Sequence, residues 1–212
     1  MARLEPEKLK IIELQNELVR DCGFYLAGGS GLALRLGHRY SEDLDWFTAN
    51  EFSTTDLARR LAALPTAATK VEEQGPNTLR AYYGTLETSF IRYAQVKREP
   101  EFIAVAGQSV PVASIELAVA MKAGAVYNRG TKRDFIDVHA ICQMPGWSVK
   151  RFIEVATRQL PILNDQLERA LTYFVDAESQ MMPRGCLVSW EQVKRDITTG
   201  MRDWRKQRDK KR

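Results

Sequence analysis

Asp43 and Asp45 are the two residues whose type and spacing point most directly to chemistry. They open the segment 43–47, whose alternation of polar and apolar side chains predicts a strand with one buried face. Because side chains two residues apart on a strand point to the same face, the two carboxylates are expected about 7 Å apart, with Leu44 directed into the core. Carboxylate oxygens are the ligands that Mg²⁺ and Mn²⁺ prefer. The pair therefore predicts a divalent-cation site, although two acids at this spacing also occur on ordinary exposed strands.

A glycine turn precedes the carboxylate pair by fifteen residues. The apolar run 24–27 predicts a short strand and helix-forming residues follow, so Gly28 and Gly29 stand at a strand-to-helix junction. At such a junction the missing side chains let backbone amides approach a phosphate, and the helix dipole favours an anion. Ser30 adds a hydroxyl at the start of the helix. A tight connection that needs a positive φ explains the glycines equally well on their own, so the phosphate site is predicted from the turn and the carboxylates together.

The elements that would position these residues follow from hydrophobic periodicity and capping residues. One helix is expected over about 6–22, and another from a cap at Ser53 to about residue 64. The segment 69–112 is rich in Thr, Val, Tyr and Phe, and its glycines and prolines divide it into several antiparallel strands. Capped helices then follow, at 114–128, 131–144, 148–160, 162–177 and 189–205. This order predicts an α+β fold, with a mixed sheet and flanking helices in residues 1–113 and a helical region in residues 114–212.

Composition narrows the class of protein. The three cysteines are far apart in the chain, which argues against a disulfide framework or a zinc site and favours a reducing, cytoplasmic compartment. No apolar run is long enough to span a membrane, so no membrane partner is expected. The formal charge of +4 is concentrated at the C-terminus, where residues 202–212 carry seven Lys or Arg and two Asp. Such a basic run suits RNA, although a solvated and frayed chain end is the simpler interpretation.

Three segments resemble the AbiEii/AbiGii toxin family of nucleotidyltransferases, within the DNA polymerase beta superfamily. They are 27–34 (AGGSGLAL), 38–47 (HRYSEDLDWF) and 120–137 (AMKAGAVYNRGTKRDFID). The resemblance implies a nucleotidyltransferase-type fold in which the glycine turn and the Asp-Leu-Asp motif hold a nucleoside triphosphate (NTP) and its Mg²⁺ or Mn²⁺. It also implies that Asp43 and Asp45 are catalytic metal ligands.

The resemblance assigns further residues to this site. Lys122 would reach the triphosphate as a point charge, and Arg133 and Arg39 would assist in binding it. Asp134 matches a catalytic acid of the later motif, and Asp137 lies one turn further along the same helical face. Asp134 also stands at the capping-box distance from the helix start, so a structural role explains it equally well.

A third carboxylate is usual in this superfamily, on a strand next to the Asp-Leu-Asp motif. Here the corresponding position falls on Ser89, which is a poor base and a poor Mg²⁺ ligand. Glu87 has the same strand parity and could face the site, although an ordinary surface Glu explains it too. His38 is a candidate phosphate contact or a plain loop residue, and His139 is expected to pack within a helix.

These features favour one function and leave two others open. The first is metal-dependent transfer of a nucleoside monophosphate from an NTP to RNA, especially tRNA, by the toxin of a toxin–antitoxin or phage-defence pair with a cognate antitoxin. The second is a nucleotide-binding or RNA-binding module on the same fold that lacks turnover. The third is a nucleotidyltransferase that modifies a small molecule, for which the basic C-terminus would be irrelevant.

Overall fold

The computed structural model describes residues 4–66, 68–73, 75–94 and 99–210. The chain divides into two compact units, Met1–Ser114 and Ile115–Arg212. The assignment of the nucleotidyltransferase core to residues 1–113 remains a prediction. No helix in the described ranges is long and apolar enough to cross a membrane.

The first unit contains a seven-stranded mixed sheet and the helices that flank it. The helices are α1 (Pro6–Asp21), α2 (Gly28–Leu36) and α3 (Thr54–Ala62). The strands are β1 (Tyr25–Ala27), β2 (Leu44–Thr48), β3 (Lys70–Glu73), β4 (Thr78–Tyr83), β5 (Leu86–Arg92), β6 (Glu101–Val105) and β7 (Gln108–Val112). Pro6 begins α1, and the hydroxyl of Ser53 accepts from the N–H of Asp56 to cap α3, as the sequence predicted.

The strands are arranged in the order β3-β4-β5-β2-β1-β7-β6. The expected antiparallel pairing holds within the hairpins β3-β4-β5 and β6-β7. It fails where these hairpins join the centre of the sheet, because β5 runs parallel to β2 and β7 runs parallel to β1. Parallel neighbours require a crossover connection, and α3 with β3 and β4 provides one between β2 and β5. The result is the mixed sheet that the family resemblance implied.

The core of this unit lies where α1 covers the central strands. Trp46, Phe24 and Phe90 are among its largest fully buried side chains. The indole N–H of Trp46 donates to the side-chain oxygen of Gln15 on α1, 2.7 Å away, which satisfies a polar group that would otherwise be costly to bury. Strand β2 is therefore held through its buried face, and Asp45 and Phe47 lie on the opposite, partly exposed face.

The second unit is helical in its described residues. It contains α4 (Ile115–Asn128), α5 (Lys132–Cys142), α6 (Val149–Gln159), α7 (Asn164–Thr172), α8 (Val175–Glu178) and α9 (Trp190–Asp209). The single helix expected over 162–177 is wrong, since α7 ends at Thr172 and Tyr173 adopts an extended conformation. This break brings Phe174 against Phe135 and Trp190, with ring centroids 4.9 and 5.7 Å away. Aromatic packing thus favours the interruption over a continuous helix.

Candidate active site

Asp45 lies on the partly exposed face of β2, and Asp43 lies just before the first residue of this strand. Strand β2 begins at Leu44, so Asp43 immediately precedes it rather than opening it. Both aspartates are partly exposed, whereas Leu44 between them is fully buried. Leu44 lies in the core as predicted, and the placement of both carboxylates on one face remains a prediction.

The glycine turn lies directly beside Asp45. Ala27, the last residue of β1, pairs with Asp45, and α2 begins at the next residue, Gly28. Gly28 has a φ of +61°, which favours glycine, and a Cβ at this position would lie only 2.7 Å from Oδ2 of Asp45. The missing side chain therefore both permits the turn and makes room for the carboxylate.

Ser30 joins the turn to the strand. Its hydroxyl donates to the carbonyl of Ala27, 3.1 Å away, and accepts from the backbone N–H of Asp45 at 3.3 Å. The side chain is fully buried. Its hydrogen bonds position Asp45, and the predicted contact between Ser30 and a bound nucleotide remains a prediction.

Arg39 and Gly29 form the other side of the turn. Arg39 is almost fully buried, and its Nη1 donates to the carbonyl of Tyr40 at 2.9 Å. A Cβ on Gly29 would approach Nη2 of Arg39 to 2.6 Å, so the guanidinium lies against the first residues of α2. A cation beside the positive end of a helix dipole is stabilised by a nearby anion. The arrangement of Arg39, the first turn of α2 and the glycines is thus suited to phosphate groups.

Asp43 and Asp45 are suited to a metal site in which the substrate supplies some of the ligands. In the part of the chain that the structure describes, no three His, Cys, Asp or Glu side chains are grouped so as to hold a metal ion. Mg²⁺ is commonly held by one or two carboxylates together with substrate phosphates and water, rather than by a cage of protein ligands. Asp43 and Asp45, two hard oxygen donors next to a turn open to phosphate, fit that mode of binding.

Ser89 and Glu87 extend the site onto the neighbouring strand. Ser89 on β5 pairs directly with Asp45, and its hydroxyl donates to Oε1 of Glu87, 3.2 Å away. The same oxygen of Glu87 lies 3.2 Å from Nε of Arg80, which pairs with Ser89 from the other side, on β4. Sequence reasoning missed Arg80, because its position depends on the register of two strands that the sequence does not reveal.

Lys8 is a second residue that the sequence did not indicate. It is buried at the start of α1 and forms an ion pair with Glu5 at 2.7 Å. Burial lowers the pKa of Lys8, while the negative charges of Asp43, Glu7 and Glu42 oppose this effect. A cation therefore acts on Asp43 from a helix that lies more than thirty residues earlier in the sequence.

Lys122 and Asp134 belong to a separate cluster in the second unit. Nζ of Lys122 lies 3.2 Å from Asp134 and 2.7 Å from Asp137, and both carboxylates are fully buried. Arg129 donates from Nε and Nη2 to the two oxygens of Asp134, at 2.9 and 3.0 Å. The hydroxyl of Thr131 adds a third partner at 2.6 Å. Two cations, Lys122 and Arg129, thus pair with two buried carboxylates in this cluster.

Asp134 has a clear structural role in this cluster. Its Oδ2 also accepts from the backbone N–H of Thr131, which completes the capping box at the start of α5. Burial by itself would raise the pKa of Asp134, but the hydrogen bonds from Arg129 and the charge of Lys122 outweigh burial and hold this pKa well below its ordinary value. Asp134 is therefore ionised and positions two cations, while its proposed catalytic role remains a prediction.

The other residues singled out from the sequence occupy varied environments. Arg133 is exposed in the first turn of α5, and His38 is buried in the loop before Asp43. His139 packs inside the second unit as expected, with Nε2 2.9 Å from Asp196 on α9. Whether Arg133 or His38 contacts a phosphate remains a prediction.

The basic C-terminal segment differs from the frayed end that was expected. Helix α9 continues to Asp209, and residues 211–212 lie outside the described ranges. Glu168 on α7, almost fully buried, accepts from Trp204 at 2.8 Å, from Arg205 at 3.1 Å and from Arg208 at 2.5 Å. These charge-assisted bonds order the helix, because an unpaired Glu168 would be costly to bury.

Comparison with known proteins is consistent with this geometry. The model of the family described as nucleotidyl transferase AbiEii toxin, type IV toxin–antitoxin system, matches residues 17–207. An uncharacterized protein of Aquifex aeolicus (strain VF5) is 29% identical over 185 residues, which cover 85% of this chain and 88% of that protein.

Solved structures share the fold at low sequence identity. JHP933 from Helicobacter pylori has a TM-score of 0.62 at 19% identity, covering 97% of this chain and 92% of that one. MenT4, the nucleotidyltransferase toxin Rv2826c from Mycobacterium tuberculosis H37Rv, has a TM-score of 0.62 at 14% identity, covering 93% and 82%. An antigenic nucleotidyltransferase-like protein from Paracoccidioides brasiliensis has a TM-score of 0.56 at 15% identity, with 95% of each chain covered.

Proposed function

Because the chain belongs to the AbiEii nucleotidyl transferase toxin family, we propose that it transfers a nucleoside monophosphate from an NTP to an RNA acceptor, with Mg²⁺ or Mn²⁺ as cofactor. One observation carries this proposal: Oδ2 of Asp45 occupies the space that a side chain on Gly28 would fill. The carboxylate that would bind the metal thus lies against the turn that would bind phosphate. A simple structural turn does not require a carboxylate at this point.

The chain's own residues bind the triphosphate in this proposal. The amides at the start of α2 and the guanidinium of Arg39 face its negative charge, while Gly28 and Gly29 let it approach the backbone. Asp43 and Asp45 would hold the divalent cations, which when bound would supply charge neutralisation on the phosphates. Ser30 holds Asp45 in place for this task.

The reaction is a displacement at phosphorus. The acceptor's hydroxyl oxygen forms a bond to the α-phosphorus, the bond to the bridging oxygen breaks, and pyrophosphate leaves. The hydroxyl proton needs an acceptor. Glu87 is the candidate, since it lies on the face that carries Asp45 and is hydrogen-bonded to Ser89.

In this proposal, cations of the second unit also bind the triphosphate. The resemblance gives Lys122 a contact with the triphosphate and gives Arg133 a supporting one. Asp134 acts by holding Lys122 and Arg129, with which it makes ion pairs of 3.2 and 2.9 Å. This is a positioning role, which suits a side chain that is fully buried.

RNA, and tRNA in particular, is the acceptor that we propose, together with a role as the toxin of a toxin–antitoxin or phage-defence pair that has a cognate antitoxin. The exposed cations of α9 support a polyanionic acceptor, since Arg202, Arg205 and Lys206 are exposed on a helix held in place by Glu168. A small-molecule acceptor would make no use of these cations. Charge-neutralising substitutions at Arg202 and Lys206 leave the bonds to Glu168 intact, and they should weaken RNA binding without unfolding α9.

The reaction class is tested with NTPs that carry the label at either the α- or the γ-phosphate. The purified protein is incubated with Mg²⁺, each NTP and total cellular RNA, and the RNA is then separated by size. The proposal expects α-label, but not γ-label, to appear in RNA. Label from the γ-phosphate would indicate a kinase instead. If NTP binds and neither label is transferred to RNA, the binding module or the small-molecule enzyme would replace this proposal.

A further inference from the structure

A groove in the second unit lies between the C-terminal ends of α4 and α7. It encloses about 540 Å³, which is within the range of about 300–1,000 Å³ for small-ligand sites. Two tyrosines and two arginines are among the side chains that line it: Tyr127, Tyr173, Arg129 and Arg169. We call it the tyrosine–arginine groove.

The tyrosines present their rings to solvent. Tyr127 is 43% exposed and Tyr173 is 55% exposed, and both are among the large apolar side chains that the fold leaves uncovered. Tyr173 is the residue whose extended backbone ends α7, so the break between α7 and α8 places its ring at the groove. Nucleic-acid bases can stack on the faces of two such rings. Each stacked base contributes about 1–3 kcal/mol to the free energy of binding.

Arg129 is fixed at the groove by a buried partner. Nε and Nη2 of its guanidinium donate to the two oxygens of Asp134, yet 62% of the Arg129 side chain is exposed. The carboxylate is fully buried, so the positive end of this ion pair is the end that faces solvent. A guanidinium held in a fixed orientation loses little conformational entropy when it binds a phosphate.

Arg169 supplies a second and more mobile cation. It pairs with Asp165 at 2.9 Å, one turn away on α7, but both side chains are well exposed. An exposed pair of this kind contributes only about 0–1 kcal/mol, so a phosphate can replace the carboxylate at small cost. Asp176 also lines the groove and repels phosphate, which leaves the arginines as the phosphate contacts.

We propose that the tyrosine–arginine groove binds unpaired nucleotides of a single RNA strand, with bases stacked on Tyr127 and Tyr173 and phosphates paired with Arg129 and Arg169. The inference rests on the RNA acceptor of the proposed function and locates a contact that holds it. A free nucleotide shares the same chemistry. Two rings and two cations, however, match a strand of more than one nucleotide.

The test is binding of a fluorescein-labelled single-stranded RNA 12-mer to the full-length protein, measured by anisotropy without NTP. Replacing both rings, Tyr127→Ala/Tyr173→Ala, should weaken binding at least about 30-fold, which corresponds to two lost stacking contacts at the lower end of their range. The matched Tyr127→Phe/Tyr173→Phe variant keeps the rings and should bind within about 3-fold of wild type. Leu187→Ala removes an exposed apolar side chain that does not line the groove, and should have no effect. Asp176→Asn should strengthen binding.

Three outcomes would overturn the inference. The alanine variant could bind as tightly as wild type while its circular dichroism and thermal unfolding show that it is folded. Asp176→Asn could weaken binding, which would indicate a cationic ligand. AMP could bind through the two tyrosines while the 12-mer does not, which would make the groove a site for free nucleotide. Because binding is measured without catalysis, absence of label transfer by wild type would count against the proposed function alone.

Discussion

The backbone N–H of Asp45 donates a hydrogen bond to the hydroxyl of Ser30, 3.3 Å away, and so joins strand β2 to the turn before α2. The same hydroxyl donates to the carbonyl of Ala27 at the end of β1. One buried side chain thus sets the distance between the proposed metal ligand and the proposed phosphate site.

Ser30→Ala should lower both stability and activity. It removes one buried and one partly buried hydrogen bond to the backbone, at a cost of about 1–3 kcal/mol, and releases Asp45 from the turn. Nucleotidyl transfer should fall at least about 10-fold, because misplaced catalytic groups lose rate steeply. Ser53→Ala is the control, since it removes the cap of α3 at a cost of about 1 kcal/mol and should preserve the rate. Equal rates for the two variants would contradict a positioning role for Ser30.

Gly28→Ala tests the space that Asp45 occupies. An added Cβ would lie 2.7 Å from Oδ2 of Asp45, so the carboxylate must move and transfer should fall by about 100-fold or more. Gly84→Ala is the matched control, because Gly84 has a φ of +62° and Gly28 has a φ of +61°. Unlike at Gly28, no atom of the described residues lies within 4 Å of a Cβ added at Gly84. Both variants should lose roughly 1 kcal/mol of unfolding free energy to backbone strain. Only Gly28→Ala should lose activity. Initial-rate assays measure the activity, and denaturant unfolding measures the free energy of unfolding.

Lys122→Met should destabilise the protein by about 3–5 kcal/mol, because it leaves Asp134 and Asp137 buried without their shared cation. Arg133→Gln, on the exposed face of the same region, should change stability by less than about 0.5 kcal/mol. If Arg133 contacts the triphosphate, this second variant should raise KM for the NTP and leave kcat unchanged. An unfolding free energy of Lys122→Met within 1 kcal/mol of wild type would show that the cluster is not a structural unit.

The stability contributed by Asp134 should be lost in acid. Its pKa is lower in the folded chain than in the unfolded chain, where a value of about 3.9 is ordinary. The stabilisation is therefore complete above that value and declines as the pH falls towards the lower, folded-state value. The difference in unfolding free energy between wild type and Asp134→Asn should be constant from about pH 7 to pH 5 and narrow below about pH 4. A difference that grew in acid would contradict the depressed pKa.

Local patterns predicted the strand and the turn on which the candidate site is built. The two-residue period of a strand is enough to place Asp45 on the face opposite the buried Leu44 and Trp46, and a Gly-Gly pair between a strand and a helix is enough to predict the turn. Neither prediction required knowledge of the register between strands. The mixed sheet followed from the family resemblance, because local patterns alone suggested antiparallel strands for β5 and β7.

Long-range contacts account for what the sequence did not reveal. Arg80 reaches Glu87 only because β4 and β5 pair in one particular register. The basic end of the chain is helical because Glu168, almost forty residues earlier, is buried beneath it. The interruption after α7 depends on Phe174 packing against Phe135 and Trp190. No local propensity encodes these partners.

The role of Asp45 as a catalytic metal ligand is tested by comparing Asp45→Asn with Glu42→Gln in Mg²⁺-dependent transfer of α-labelled nucleotide. Glu42 is an exposed acid three residues before Asp45, so the two variants each remove one negative charge from the same short segment. We expect Asp45→Asn to lower transfer at least about 100-fold while the protein stays folded, and Glu42→Gln to retain nearly full activity. Wild-type transfer should also stop when EDTA removes the metal. Full activity in Asp45→Asn, or transfer that persists in EDTA, would contradict an active site built on this carboxylate.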